Sequence, residues 1–235
     1  MTSAAAGISG LASRYGLPAQ AVSRLEELLR LLSTDPLAPT SVRDPQRVLD
    51  DHLADSLVAL ELDVVRSAGV VLDIGSGAGL PGLPLAVAMP AARFVLLESV
   101  TRKCQFLERL VAACGLSNVE VVHDRAEAWT GGLERFELVV IRAVAALDVV
   151  LEYGAPMLGV GGRLLVWRGR RDREAEAAAS RAAEVLGMQV VEVREVQPYP
   201  EAHDRYLHLF SKVRETPDEF PRRPGVAAKR PLGRV

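Results

Sequence analysis

The sequence predicts an α/β fold in which a largely parallel sheet follows an N-terminal helical region. From residue 69 onward, short apolar runs alternate with stretches of helical spacing, as in consecutive β-α-β units. The first of these runs leads directly into a glycine-rich turn. With 235 residues, of which 49% are hydrophobic and 25% charged, the chain is also large enough to bury one sizeable core.

Residues 1–68 are predicted to form the helical extension. Two groups of apolar residues recur there at helical spacing. They are Val22, Leu25, Leu28, Leu29 and Leu32, followed by Val48, Leu49, Leu53, Leu57 and Leu60. Residues 33–46 between the two groups are rich in prolines and small polar residues, so we expect a loop in which the chain changes direction.

Residues 69–219 are predicted to form the sheet and the helices that cover it. The expected parallel strands are Val70–Ile74, Phe94–Glu98, Val119–His123, Leu138–Arg142 and Gly162–Trp167. Helices are expected to start near Pro81, Thr101, Ala126, Leu147 and Asp172. Two last strands, Gln189–Val196 and Tyr206–Val213, are joined by a segment too short for a crossover helix, so they are predicted to pair antiparallel.

The remaining residues, 220–235, form a C-terminal arm. This arm contains five basic residues, three prolines and no acidic residue. Such a composition favours an extended, basic terminal segment.

The glycine-rich turn predicts a bound nucleotide-like ligand. Gly75, Gly77 and Gly79 lie between the first strand and the following helix, where the absence of side chains lets the backbone turn sharply and approach a ligand. A second frame, Gly77, Gly79 and Gly82, also matches the GxGxxG pattern of dinucleotide-binding proteins. The turn alone therefore leaves open a nicotinamide or flavin cofactor, or a role in packing only.

Two acidic residues indicate which ligand is favoured. Asp73 lies near the end of the first buried strand, where a carboxylate is costly unless it is hydrogen bonded. S-adenosylmethionine (AdoMet) enzymes typically carry an acid at this position, where it braces the turn and reaches the cationic methionine amine. Glu98 ends the next strand, where it can accept both ribose hydroxyls of an adenosine. Glu98 supports either cofactor class, whereas Asp73 favours AdoMet.

Other features of the composition limit the classes of function. The cysteines, Cys104 and Cys114, are too far apart on one predicted helix for a disulfide, which suits a reducing, cytoplasmic compartment. The four histidines show no metal-ligand spacing, so no metal is expected. No secretory signal and no apolar run long enough to cross a membrane is found. A net charge of −2 neither excludes nor predicts RNA binding.

The end of the fourth strand narrows the chemistry. Enzymes that methylate exocyclic amines place an Asn or Asp followed by Pro-Pro-aromatic there, but this chain has Arg142-Ala143-Val144. Both cysteines lie within a predicted helix, which argues against the nucleophile that methylation of pyrimidine carbon five requires. We interpret Arg142 as a positioning residue and not as an acid or base. A salt bridge to Asp148 or another loop acid is the alternative.

Five stretches together resemble the RsmG (GidB) family. They are GSGAGLPGLP over 75–84, HLADSL over 52–57, Leu96–Ser99 followed by Lys103, DRAE over 124–127, and Arg142-Ala143. The FPRRPG segment of the arm also looks like a family ending. Trp167-Arg168 and Ile141 depart from the residues usual in that family, which have lysine-glycine and serine.

The resemblance implies a class I AdoMet-dependent methyltransferase (Rossmann-like) sheet with an N-terminal helical extension. It implies methylation of guanine N7 in 16S ribosomal RNA of the small subunit, with AdoMet as cofactor. By the same resemblance Gly75 and Leu80 line the methionine side of the cofactor, Ala126 and Glu127 contact its adenine, and Arg142 lies at the reaction centre. Because N7 of neutral guanine carries a lone pair and no proton, no general base is required.

An RNA substrate would be held by basic side chains that neutralise phosphates. The candidates are Arg168, Arg222, Arg223, Lys229 and Arg230. Runs of charge are most often solvated surface, so this assignment depends on the resemblance. A methyltransferase that acts on another RNA or on a small molecule, a dinucleotide oxidoreductase, and a noncatalytic AdoMet- or RNA-binding module remain as alternatives.

Overall fold

The seven-stranded sheet places the ends of its parallel strands at one common edge. The computed structural model describes residues 3–233. Its strand order is β3-β2-β1-β4-β5-β7-β6, with β1 to β5 parallel and β7 antiparallel to both β5 and β6. The strands are β1 Val70–Ile74, β2 Arg93–Glu98, β3 Val119–His123, β4 Phe136–Arg142, β5 Leu158–Arg168, β6 Met188–Glu195 and β7 Tyr206–Lys212. The predicted α/β class and the antiparallel final pair are confirmed.

Helices cover both faces of the sheet. The longer ones are α1 Ser3–Tyr15, α2 Ala21–Thr34, α6 Gly82–Ala88, α7 Thr101–Ala113, α8 Leu147–Gly154 and α9 Arg173–Val185. The shorter ones are α3 Pro45–Val48, α4 Asp55–Leu57, α5 Asp63–Arg66 and α10 Val226–Lys229. One π-helical turn, Leu49–Ala54, and 3₁₀ turns at Val58–Glu61, Thr130–Gly132 and Ala155–Met157 complete the described structure.

The N-terminal helices pack on the same face of the sheet as α6 and α7. Leu25, Leu28 and Leu32 of α2 are fully buried in that core, which also contains Leu53 and Phe106. The apolar spacing predicted for this region is therefore confirmed as a core-facing stripe. Helix α1 was not singled out from the sequence, because its alanines and glycines dilute the helical pattern of its few buried apolar residues.

Helices α8 and α9 cover the opposite face. Successive residues of β1 divide between the two cores: Val71 packs with the N-terminal helices, and Leu72 packs with α8 and α9. Asp172 begins α9 by accepting hydrogen bonds from the backbone N–H groups of Glu174 and Ala175. A sheet covered on both faces leaves its edge at the carboxyl ends of the strands as the place for a ligand.

The helix predicted to start near Ala126 is wrong. Residues 126–135 form turns and the single 3₁₀ turn Thr130–Gly132. The Gly131-Gly132 pair ends any helix after a few residues, since glycine carries a high entropic cost in a helix. The Trp129 ring instead lies 6.0 Å from that of Phe136 and covers the core beneath.

The C-terminal arm is not extended away from the core, contrary to the prediction. Phe220 and Leu232 pack against the core on the α8 and α9 face, and Ala227 is buried. Arg181 donates hydrogen bonds of 2.9 and 2.7 Å to the Gly233 carbonyl. The described part of the arm, up to residue 233, therefore folds back onto the protein. The division into 1–68, 69–219 and 220–235 stays a prediction.

None of the helices described between residues 3 and 233 has the length and apolar character needed to cross a membrane. Cys104 and Cys114 are both free and buried.

Candidate active site

The glycine turn, residues 75–80, connects β1 to α6 through backbone conformations that favour glycine. Gly75, Gly77 and Gly79 have φ values of 71°, 56° and 87°. The Gly75 N–H donates to the Leu97 carbonyl at 2.8 Å, and the Gly77 N–H donates to Glu98 Oε2 at 3.0 Å. The turn is thereby fixed against the end of β2, and its Gly75 and Gly77 are half-buried at the edge where β1 and β2 finish.

Asp73 lies beneath this turn and is fully buried. Its Oδ2 accepts a 2.9 Å hydrogen bond from the Gly82 N–H, so it ties the start of α6 to β1. Burial raises the pKa of Asp73 to about 7, although the Gly82 N–H acts in the opposite direction. Among residues 3–233, its Oδ1 is buried without a hydrogen-bond partner. An acceptor in this state is suited to a cationic ligand group.

Glu98 has fewer free acceptor positions than the sequence suggested. Its Oε1 accepts from the backbone N–H groups of Ser99 and Val100, at 2.8 and 2.9 Å, and its Oε2 accepts from Gly77. A carboxylate offers about four acceptor positions. One position on Oε2 is left while these bonds persist, which serves one ribose hydroxyl and not two.

A cavity of about 160 Å³ opens beside the glycine turn. It is lined by Ile74, Gly75, Leu97, Ser99, Asp124, Arg125, Ala126, Glu127, Val144 and Tyr153. The structure thus brings Gly75, Ala126 and Glu127 together, although they come from the ends of β1 and β3. Val144 lies directly over Gly75, because a Cβ placed on Gly75 would be 2.6 Å from the Val144 Cγ2 atom.

The C-terminal arm supports the far side of this cavity. The Gly225 N–H donates to Glu127 Oε1 at 3.0 Å. Arg222 donates two hydrogen bonds to Glu152, one from Nε to Oε1 at 2.8 Å and one from Nη2 to Oε2. Glu152 is 1% exposed. This pairing favours a structural role for Arg222, whereas Arg223, Lys229 and Arg230 are exposed. No sequence signal linked the arm to DRAE.

Arg142, at the end of β4, points to a different acid from the one considered in the sequence. Its Nη1 lies 2.7 Å from Asp55 Oδ2 and 3.2 Å from the Asp51 carbonyl oxygen. Both side chains of the Arg142–Asp55 pair are largely buried, at 15% and 7% exposed. The salt-bridge alternative is correct in kind, but the partner is Asp55 of the helical extension and not Asp148.

A second cavity, which we call the charged cleft, is lined by Arg142 itself. Its volume is about 390 Å³, and its charged lining residues are Arg47, Asp51, Asp55, Arg142, Arg168 and Arg205. The remaining lining residues are Trp167, Tyr206, Ala143, Gly169 and Val196. Four arginines against two aspartates make the cleft positive, which suits a nucleic-acid backbone.

Sequence reasoning did not find the contacts that assemble this cleft. Trp167 Nε1 donates to the Asp55 carbonyl at 2.7 Å, and Arg205 Nε lies 3.3 Å from Asp55 Oδ1. His52 Nε2 lies 2.9 Å from Thr40 Oγ1. Asp55 and Trp167 are 112 residues apart, so no local pattern in the sequence predicts that they meet.

The residues around the glycine turn fit AdoMet. The unpartnered Asp73 Oδ1 is available for the methionine amine, the glycines leave room at the backbone, and Glu98 keeps one acceptor for the ribose. Within the described residues, no group of three or more His, Cys, Asp or Glu side chains could hold a metal ion. The absence of a metal stays a prediction.

Comparison with known proteins places the chain among ribosomal RNA methyltransferases. A family model described as rRNA small subunit methyltransferase G matches residues 22–203. The ribosomal RNA small subunit methyltransferase G of Rubrobacter xylanophilus is 41% identical over 218 residues, which cover 90% of this chain and 84% of that protein. The protein of the same name from Chloroflexus aggregans is 38% identical over 227 residues, covering 93% and 94%.

Solved structures show the same fold at lower identity. A SAM-dependent methyltransferase from Aquifex aeolicus superposes with a TM-score of 0.56 at 19% identity, covering 72% of this chain and 94% of that one. The predicted class I methyltransferase fold is thereby confirmed.

Proposed function

The chain belongs to the rRNA small subunit methyltransferase G family, and from this premise we propose that it methylates guanine N7 in the 16S rRNA of the small ribosomal subunit, with AdoMet as the methyl donor. One observation carries the proposal. The segment that follows β4 lines both cavities, since Arg142 and Ala143 line the positive cleft and Val144 lines the cavity beside the glycine turn. A cofactor and a nucleotide held in these two places would meet near this segment.

The cofactor would be held by residues around the glycine turn. Asp73 would accept from the methionine amine, Gly75 and Leu80 would line the methionine side, and Glu98 would accept from one ribose hydroxyl. The adenine would lie against Ala126 and Glu127. When bound, AdoMet supplies an electrophilic methyl group on its sulfonium.

The chain would contribute to the reaction by positioning the guanine and the cofactor. AdoMet would supply the methyl group and keep the carbon–sulfur electron pair on its sulfur, and the guanine N7 lone pair would form the new bond. No proton moves, so the ion-paired Arg142 and Asp55 need not act as acid or base. Arg142 would fix the base through hydrogen bonds, since a cation does not favour the cationic product.

The wider RNA would be held by basic side chains, of which Arg168 is half-buried and the others are exposed. Arg168 lies in the charged cleft, and Arg223, Lys229 and Arg230 lie on the arm. A 16S rRNA substrate would place the enzyme in the cytoplasm with the assembling ribosome.

The test uses small subunits that lack the modification. Protein and methyl-labelled AdoMet are incubated with them, and the rRNA is then cleaved at N7-methylguanine to map the label. We expect label at one guanine of 16S rRNA. The matched control is Gly77→Asp, which sets a second carboxylate beside Glu98 at a φ of 56° and should abolish labelling. Absence of label with the unaltered protein, or label on another atom, would contradict the proposal.

A further inference from the structure

The charged cleft contains one buried acceptor whose hydrogen bonding is incomplete. Asp55 Oδ2 is bonded to Arg142, but Oδ1 has no hydrogen-bond partner among the described residues. Arg205 Nε lies 3.3 Å from Oδ1 without the geometry of a hydrogen bond. Buried carboxylate oxygens are normally hydrogen bonded. An acceptor left in this state at the wall of a cleft points to a donor that arrives with a ligand.

The surrounding contacts fix Asp55 while leaving Arg205 able to move. The Asp55 backbone carbonyl is held by Trp167, and its Oδ2 is held by Arg142. Arg205 is 34% exposed and has further partners, Tyr199 and Asp51, at 3.3 and 3.6 Å. A ligand donor can therefore take the place of Arg205 at Oδ1 without leaving the arginine unpaired.

Guanine carries the complementary groups. Its N1–H and its exocyclic 2-amino group are adjacent donors on one edge of the ring, and O6 and N7 are acceptors on another. We propose that Asp55 Oδ1 accepts from the N1–H and 2-amino edge of the target guanine, and so reads the base while N7 faces the cofactor cavity. This inference rests on the proposed function. Adenine lacks both donors, so the cleft would reject it.

A second role for Asp55 must be separated from this one. As the buried counter-ion of Arg142 it also stabilises the fold, and any substitution of it would lower activity for that reason alone. The distinguishing readout is the preference between two substrates. Inosine keeps the N1–H, O6 and N7 of guanosine and lacks only the 2-amino group.

The experiment uses small subunits reconstituted with 16S rRNA that carries guanosine or inosine at the target position. For the unaltered protein we expect a roughly ten- to hundredfold preference for guanosine in kcat/KM, as expected for one hydrogen bond to a charged group. Affinity of the protein for the two kinds of subunit, measured with S-adenosylhomocysteine present, should show the same preference.

Asp55→Asn is the matching variant. Because Arg142 requires an acceptor, the amide oxygen should face it, and the amide NH₂ would then meet the guanine donors. We expect the guanosine-to-inosine ratio to fall to about one. Glu120→Gln, which changes an exposed carboxylate outside the cleft that pairs with Arg93, should keep the preference of the unaltered protein. A ratio does not depend on how much of the variant is folded.

The experiment separates failure of this inference from failure of the proposed function. A ratio of about one for the unaltered protein, or an unchanged ratio in Asp55→Asn, would overturn this inference and leave the proposed function standing. If neither substrate were labelled, the proposed function would fail first.

Discussion

The glycine turn and the charged cleft lie at the same edge of the sheet, but they are built in different ways. The turn uses backbone N–H groups and two buried acids, all between Asp73 and Glu98. The cleft uses long side chains from four distant segments, including Arg47, Arg142 and Arg205. A site made from backbone groups depends on local conformation. A site made from charged side chains depends on the packing of the helical extension against β4, β5 and β7.

The largest effect is expected where the C-terminal arm supports the cofactor side. Arg222→Ala would leave Glu152, which is 1% exposed, as an unpaired buried charge. We expect the free energy of unfolding to fall by about 3–5 kcal/mol, measured by urea denaturation. AdoMet affinity should fall as well, because Gly225 would no longer be held against Glu127.

Arg223→Ala is the matched control for this prediction, since Arg223 is its exposed neighbour. It should leave the stability within about 0.5 kcal/mol of the unaltered protein. Equal stability of the two variants would show that the buried Arg222–Glu152 pair does not stabilise the fold.

In the cleft, Arg142→Ala tests the ion pair that joins the helical extension to the sheet. Asp55 would keep only Arg205 nearby, so we expect a loss of about 3 kcal/mol in the free energy of unfolding. Arg47→Ala removes a 67% exposed partner of Asp51 and should cost less than about 1 kcal/mol. Similar losses in the two variants would mean that burial does not decide the strength of these pairs.

The contrast between the locally built glycine turn and the charged cleft assembled from distant segments also explains how much the sequence could predict. Alternation of apolar runs predicted the strands of the sheet to within a few residues, and the glycines predicted the turn between β1 and α6 because all of its parts are local. Asp55 and Arg142 are 87 residues apart, and no local pattern encodes their contact. The same reason hid the bond between Gly225 and Glu127.

On the cofactor side, Gly82→Ala probes the close approach of α6 to β1. A Cβ on Gly82 would lie 2.6 Å from Asp73 Oδ2 and 2.5 Å from Leu96 Cδ2. Such overpacking is expected to cost about 1–3 kcal/mol of stability and to weaken AdoMet binding by moving Asp73, as measured by thermal unfolding and calorimetry.

Gly10→Ala provides the control for that substitution. Gly10 lies in α1, and no atom of the described residues comes within 4 Å of its added Cβ. Alanine should raise helix stability there by up to about 1 kcal/mol. A destabilising Gly10→Ala of the same size as Gly82→Ala would remove the steric explanation.

The smallest effect concerns the charge of Asp73, whose pKa burial raises from 3.8 to about 7. Below pH 7 the carboxyl is protonated and offers no charge to the methionine amine, so lowering the pH from 8 to 6 should weaken AdoMet binding about tenfold.

The stability of the ligand-free protein has the opposite dependence on pH. The unfolded chain loses its proton near pH 4, before the folded chain does, so this group's contribution to stability declines as pH rises from 4 to 7. Asp73→Asn should remove both dependences, and calorimetry in buffers of different ionisation enthalpy should show proton release on binding near pH 6.5. If binding to the unaltered protein were independent of pH between 6 and 8, Asp73 would not be the partner of the methionine amine.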